Sequence, residues 1–199
     1  MLASVHEVRK RRLIVGVSGA TGTELALHLL RSLRRFDLEL HLVVSGGAQR
    51  TWSLEMDEPI ETMLELADVV HDDKNLAASI SSGSFCTEGM IVMPCSMKTL
   101  AATACGFTPN LLNRAIDVCL KEERRVVLCP REMPLGKVHL RNLVQASELG
   151  CTIIPPMLTF YNGPKTMQDQ INHVIGKVVR MFGLESDEFV AWEGRAEET

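Results

Sequence analysis

Leu13-Ile14-Val15-Gly16-Val17-Ser18-Gly19-Ala20-Thr21-Gly22 runs from apolar, partly β-branched residues into small and hydroxyl-bearing ones. The apolar part reads as a buried strand, the glycine-rich part as a tight loop, and Thr23 to Arg35 as an amphipathic helix. Strand, short loop and helix in that order form the repeating unit of a parallel sheet. The unit recurs. Leu38 to Val44 reads as a strand before a helix from Ala48 to Met56. Gly89 to Pro94 is a strand before helices over Thr99–Ala104 and Leu111–Glu122. Val126 to Cys129 is a strand stopped by Pro130, followed by a helix over Lys137–Leu149. Thr152-Ile153-Ile154 is a last strand and Met167 to Phe182 a last helix, while a short helix (Ile60 to Ala67) and a short strand at Val69-Val70 follow the second unit. The pattern predicts an α/β fold: a three-layer, doubly wound, mainly parallel sheet with helices on both faces. It spans residues 13–184 as a single domain, with tails over 1–12 and 185–199.

A chain of 199 residues, 46% hydrophobic and 23% charged, has globular composition and can build a core without disulfides or metal. Its net charge of −4 gives no general attraction to nucleic acid, so any bound anion must be met by local groups. The six cysteines form no Cys-x-x-Cys and interrupt apolar or helical runs as small hydrophobes do, which favours a reducing cytoplasm. No apolar stretch approaches membrane-spanning length, and the six histidines have no metal-ligand spacing.

Three strand ends share one design, in which an apolar run breaks into small, glycine or hydroxyl residues as a helix begins. Successive backbone N–H groups there, backed by the helix dipole, can hold an anion. The first is Gly16 to Gly22, an anion cradle or a plain tight turn. The second is Val44-Ser45-Gly46-Gly47 and the third Pro94-Cys95-Ser96-Met97-Lys98-Thr99; in both, helix capping by the serine is the alternative reading. A fourth strand end carries Arg131-Glu132 just after Pro130, where the carboxyl edge of an open α/β sheet receives ligands. Withdrawing two charges from water costs several kcal/mol per ion, so the pair marks either a site or a structural ion pair. Ser81 to Phe85 is a surface loop or a segment that closes over a ligand. Glu55, late in its helix, reaches the strand ends or is merely solvated. Lys121 opens a charge run that reads as a wet helix end, and Tyr161, the one tyrosine, follows the last strand.

Taken in order, these segments resemble the UbiX-type flavin prenyltransferases, the family that also supplies the small B subunit of phenolic acid decarboxylase systems. The resemblance covers Leu13 to Leu184. It rests on Gly19-Ala20-Thr21-Gly22, Ser82-Gly83-Ser84-Phe85, Pro94 to Thr99, Arg114-Ala115 with Asp117, and Leu120-Lys121-Glu122. Cys129-Pro130-Arg131-Glu132-Met133-Pro134-Leu135 with His139-Leu140, then Phe160-Tyr161, complete the series. It implies a Rossmann-like flavoprotein fold and transfer of a dimethylallyl group from dimethylallyl monophosphate to N5 and C6 of reduced FMN. By the same resemblance Gly19, Ala20, Thr21, Ser45, Ser96, Met97, Lys98, Thr99 and Arg131 hold FMN. Glu55, Lys121, Arg131, Glu132, Tyr161 and Lys177 surround the prenyl phosphate, with Glu132 as proton carrier and Glu55 in support. No metal is required. The family forms dodecamers with sites at subunit interfaces, and its product serves a UbiD-type aromatic acid decarboxylase.

The residue types suit that chemistry. Breaking a carbon–oxygen bond to phosphate leaves an anion and an allyl cation, so fixed cations belong at the phosphate. A charge-assisted hydrogen bond contributes roughly 1.5–3 kcal/mol, so Lys121, Arg131 and Lys177 together localise a phosphate strongly. Two positions depart from the family: Lys177 stands where arginine is usual, losing the planar fork, and Arg141 where glutamate is typical. The competing functions are a non-catalytic FMN-binding subunit of a decarboxylase and a flavin-dependent oxidative decarboxylase of the same fold. The latter carries a Pro-Ala-Ser-Ala-Asn-Thr type segment in place of Pro94 to Thr99.

Overall fold

The computed structural model describes residues 10–186, 189–192 and 194. Six strands form one all-parallel sheet: β1 (Arg11–Val17), β2 (Leu38–Val44), β3 (Val69–His71), β4 (Gly89–Cys95), β5 (Arg125–Pro130) and β6 (Cys151–Ile153). Their spatial order is β3-β2-β1-β4-β5-β6. The chain builds outward from β1 to one edge, returns to the centre, and builds outward again. The reversal between β1 and β4 opens a crevice at the carboxyl ends of those strands, where the two connections leave in opposite directions.

Among the described residues seven α-helices cover the two faces: α1 (Thr23–Leu33), α2 (Gly46–Glu55), α3 (Glu61–Leu64), α4 (Met97–Ala104), α5 (Leu111–Lys121), α6 (Lys137–Glu148) and α7 (Met167–Arg180). Because both faces are covered, the central strands are apolar throughout rather than alternating. All of β4 is buried, yet its side chains still divide between two cores. Ile91 and Met93 join Leu13, Val15, Leu30 and Val178 under α1 and α7, while Met90 and Val92 join Ile14, Leu112, Ile116 and Leu128 under α5. Helix α1 buries Ala26, Leu27, Leu30 and Leu33, the three-to-four spacing of one helical face.

The predicted doubly wound sheet is the observed one, with shifted ends. Strand β1 starts at Arg11, inside the stretch read as a tail, where Arg11 reaches Glu88 at 3.2 Å and Arg12 reaches Glu39 at 3.0 Å. At the other end, Phe189 stacks on His173 and Trp192 meets Tyr161 edge-on, so part of the second expected tail lies against α7 and the loop before it. Residues 1–9 of the first tail and 187–188, 193 and 195–199 of the second lie outside the described residues.

Gly89 begins β4 with φ +137°, and a Cβ there would collide with the Arg125 carbonyl oxygen of the neighbouring strand. Gly89→Ala combines a backbone conformation that L residues avoid with a backbone clash in the sheet centre. It should cost about 2–5 kcal/mol of stability, read as a lower denaturant midpoint at unchanged slope.

Candidate active site

Strands β1, β2 and β4 end side by side, and α1, α2 and α4 start from them, so three helix amino termini open on one crevice. The first-turn amides of a helix have no intrahelical acceptor and carry the positive end of its dipole. The loops are held in register by backbone bonds. Ser45 N–H donates to the Val17 carbonyl at 3.0 Å, and Ser18 N–H to the Pro94 carbonyl at 3.2 Å. Gly19 lies so close to Gly47 that a Cβ on it would stand 2.9 Å from the Gly47 Cα, which is why the first two loops touch. The capping reading of both serines holds: Ser45 Oγ accepts from Ala48 N–H and Ser96 Oγ from Thr99 N–H, each at 3.2 Å.

Helix α1 has Gly22 at its N-cap and no side-chain cap of its own. Glu55 supplies one from the end of α2. Its carboxylate accepts from Gly22 N–H at 2.9 Å, Thr23 N–H at 3.0 Å and the Thr23 hydroxyl at 2.9 Å. Burial raises its pKa, but the hydrogen bonds from Thr21, Thr23 and Gly22 outweigh that and leave the carboxyl below its usual range. Glu55 is therefore an anion at neutral pH, neither idly solvated nor a ready acid.

Gly19, Ala20, Thr21, Ser45, Ser96, Met97, Lys98, Thr99 and Arg131 all line one cleft of about 400 Å³, with Glu132 at its rim. Gly47, part of the second anion-favouring loop, and Asn110, which the sequence reading passed over, complete the wall. Asn110 had a signal as the N-cap of α5, where its carbonyl oxygen accepts from Asn113 N–H at 3.0 Å. A second cavity of about 460 Å³ shares Thr21 and Arg131 with the first and is walled by Leu25, Met157, Leu158, Met167, Ile171 and Val174. A polar cleft and an apolar one thus meet at Arg131. Larger hollows lie at the β3 edge and at the amino edge of the sheet, but neither brings two helix amino termini together.

Arg131 and Glu132 correct one expectation. Both are exposed, neither makes an ion pair among the described residues, and Glu132 accepts only from Met133 N–H, at 3.0 Å. The desolvation cost that singled them out is not incurred within one chain. Their loop is placed instead by Arg131 N–H, which donates to the Cys95 carbonyl at 3.1 Å. Nearby Cys95 and Cys129 are buried, and burial pushes their thiols far up, so they are packing groups rather than nucleophiles.

Residues 1–183 match the Flavoprotein family. A "probable UbiX-like flavin prenyltransferase" of Sedimentibacter hydroxybenzoicus is 61% identical over 184 residues, 92% of this chain and 97% of the relative. The chain belongs to the UbiX-like flavin prenyltransferase family. Among solved structures, AnUbiX (PadA1) in complex with FMN and dimethylallyl pyrophosphate superposes with a TM-score of 0.92 at 44% identity, covering 94% of this chain and 100% of the other. A dodecameric FMN-dependent UbiX-like decarboxylase from Escherichia coli O157:H7 gives 0.89 at 48% identity, covering 92% and 100%.

Not every family position gathers at the cleft. Lys121 ends α5, which returns to the amino edge of the sheet, where it pairs with Glu122 at 2.9 Å just before β5 begins. The Ser82 to Phe85 loop lies at that same edge, held by Arg124 through the Gly83 and Phe85 carbonyls. Within one chain neither faces Arg131, so the loop closes nothing here. Tyr161 and Lys177 line neither cavity. The Tyr161 hydroxyl meets His173 Nε2 at 3.2 Å, and Lys177 follows one turn along α7. Burial, then the Lys177 charge, keeps the His173 ring below its usual pKa, hence neutral.

The Glu55 cap carries a pH signature. Its folded-state pKa lies below the unfolded one, so its stabilisation is complete above the unfolded value of about 4.3 and is lost as pH falls through the folded value. Wild type should exceed Glu55→Gln by about 1 kcal/mol at pH 7, the size of a lost cap discounted for exposure. That gap should shrink in denaturation curves taken below about pH 4.

Proposed function

We propose that this chain is a flavin prenyltransferase that joins the dimethylallyl group of dimethylallyl monophosphate to reduced FMN. The observation that carries the reading is the single cleft formed by three helix amino termini, Arg131 and Glu132, opening beside an apolar cavity. The cleft suits FMN by its donors, and a bare Gly19 lets the first two loops that carry them touch, since a Cβ there would intrude on Gly47. Helix amino termini and Arg131 complement a phosphate, and the hydroxyls of Ser45, Ser96 and Thr99 complement polar flavin edges. The apolar cavity suits a five-carbon branched chain, as Leu25, Leu158, Ile171 and Val174 offer no competing hydrogen bonds. Reduced flavin supplies the electron-rich N5 and C6 that accept the group.

Arg131, common to both cavities, bridges the flavin and the prenyl phosphate and stabilises the charge that develops as the carbon–oxygen bond breaks. Glu132 at the rim holds or delivers a proton at its carboxylate. Glu55, already ionised, keeps the first loop in place and serves as acceptor rather than donor. Tyr161 and Lys177 line neither cavity within one chain; in this reading they bring a hydroxyl and a charge to the phosphate in the assembled oligomer, the ammonium giving a looser grip than a guanidinium fork.

Lys121 reaches a phosphate only from another copy of the chain, and the surface supports such an assembly. Helix α6 buries only Ala146, leaving Leu140 and Val144 on an exposed apolar face, with Val138, Met133 and Leu135 also exposed on the helix and the loop before it. A homo-oligomer, dodecameric as in the relative, would cover that face and complete the site. The product would pass to a UbiD-type decarboxylase of aromatic acids.

Anaerobic incubation with reduced FMN and dimethylallyl monophosphate should give a flavin heavier by one dimethylallyl-derived unit by mass spectrometry. Unmodified FMN would leave only a flavin-binding role. Glu132→Gln should lower kcat about 10²–10⁴-fold while FMN affinity stays within about twofold. If Lys121 acts in a neighbouring site, co-expressing Lys121→Ala with Arg131→Ala chains should restore activity that neither homo-oligomer has, because some sites then combine an intact Arg131 with an intact Lys121.

A further inference from the structure

His173 has no place in the chemistry described so far, yet its surroundings are those of a placed group. The ring is buried in α7, with Phe189 stacked on it at 4.8 Å and 23°. Gly176, one turn away, makes room for that lid, because a Cβ there would sit 2.5 Å from the Phe189 Cβ. One ring nitrogen, Nε2, meets the Tyr161 hydroxyl at 3.2 Å. The other, Nδ1, is buried with no hydrogen-bond partner among the described residues.

That asymmetry decides the tautomer. A neutral imidazole carries one proton, and a buried orphan N–H is rarer than an under-satisfied acceptor. The proton therefore belongs on Nε2, and Nδ1 keeps a bare lone pair. We propose that His173 is a positioning residue for Tyr161: its Nε2–H donates to the phenol oxygen, so the phenol proton is turned outward toward the prenyl phosphate. With the opposite tautomer, Nε2 would accept the phenol proton and leave Tyr161 nothing to give. Burial and the neighbouring Lys177 charge keep the ring neutral, which preserves the single-donor arrangement.

This inference rests on the reading of Tyr161 as a phosphate donor, and a double-mutant cycle separates the two. Tyr161→Phe should raise KM for dimethylallyl monophosphate about three- to tenfold. His173→Leu should do the same with FMN affinity unchanged, and His173→Gln, whose amide keeps an N–H for the phenol, should recover most of the loss. In the Tyr161→Phe background His173→Leu should cost nothing further. Additive losses, or His173→Gln as poor as His173→Leu, overturn the positioning role and leave Tyr161 intact. Unchanged KM in Tyr161→Phe overturns the reading of Tyr161 and the proposal with it. Magnetic resonance of isotope-labelled histidine in the wild-type protein needs no substitution: protonated Nε2 supports the proposal, and protonated Nδ1 overturns it.

Discussion

Between the carboxyl ends of β1 and β4, the Ser18 hydroxyl donates to the Pro94 carbonyl at 3.0 Å and accepts from Ser96 N–H at 2.7 Å, buried from solvent. These strands are neighbours in space but far apart in sequence, and they diverge at this point because the sheet reverses its winding there. Left open, the gap would bury unpaired backbone groups. Closed by one hydroxyl, it holds the loop before α1 and the loop before α4 at a set separation. Everything built on the crevice inherits that spacing, including the Gly19–Gly47 contact that brings in the third loop and the Cys95 carbonyl that anchors Arg131.

The electrostatics follow from the same geometry. Three helix dipoles aimed into one crevice, with Arg131 beside them, make a region where anions are favoured in a chain whose net charge is negative. Glu55 completes the local balance from behind. By capping α1 it neutralises part of one dipole's positive end while holding the loop that presents the rest. The cost is that this carboxylate is committed, which separates it from Glu132, whose carboxylate faces solvent with a single backbone donor.

Much of this was legible beforehand, for identifiable reasons. Strands such as Met90 to Met93 are apolar without interruption, which only a sheet covered on both faces requires, and the glycine and serine breaks after them announce helix starts. Most of the polar cleft was legible because its residues, Asn110 apart, lie within a few positions of a strand's carboxyl end, so chain order alone carries them there. Lys121 was expected beside Arg131 at the prenyl phosphate, but its helix is antiparallel to the strands and delivers it to the far edge. Arg131 and Glu132 do line the cleft, but not for the desolvation expected of a charge pair at a strand end: neither charge is withdrawn from water in the single chain.

Local periodicity and turn chemistry belong to the sequence by itself. It determined the α/β class, the helix starts, the anion-favouring loops and, through ordered motifs, the family. Contacts between residues far apart along the chain were decided only by the tertiary structure. The capture of Glu55 by the start of α1, the sharing of Arg131 between a polar and an apolar cavity, the pairing of Tyr161 with His173 and the removal of Lys121 to the opposite edge are all of that kind. Hydrogen bonds and packing act over a few ångströms in space, and no pattern along the chain records which distant residues the folded sheet will bring within that reach.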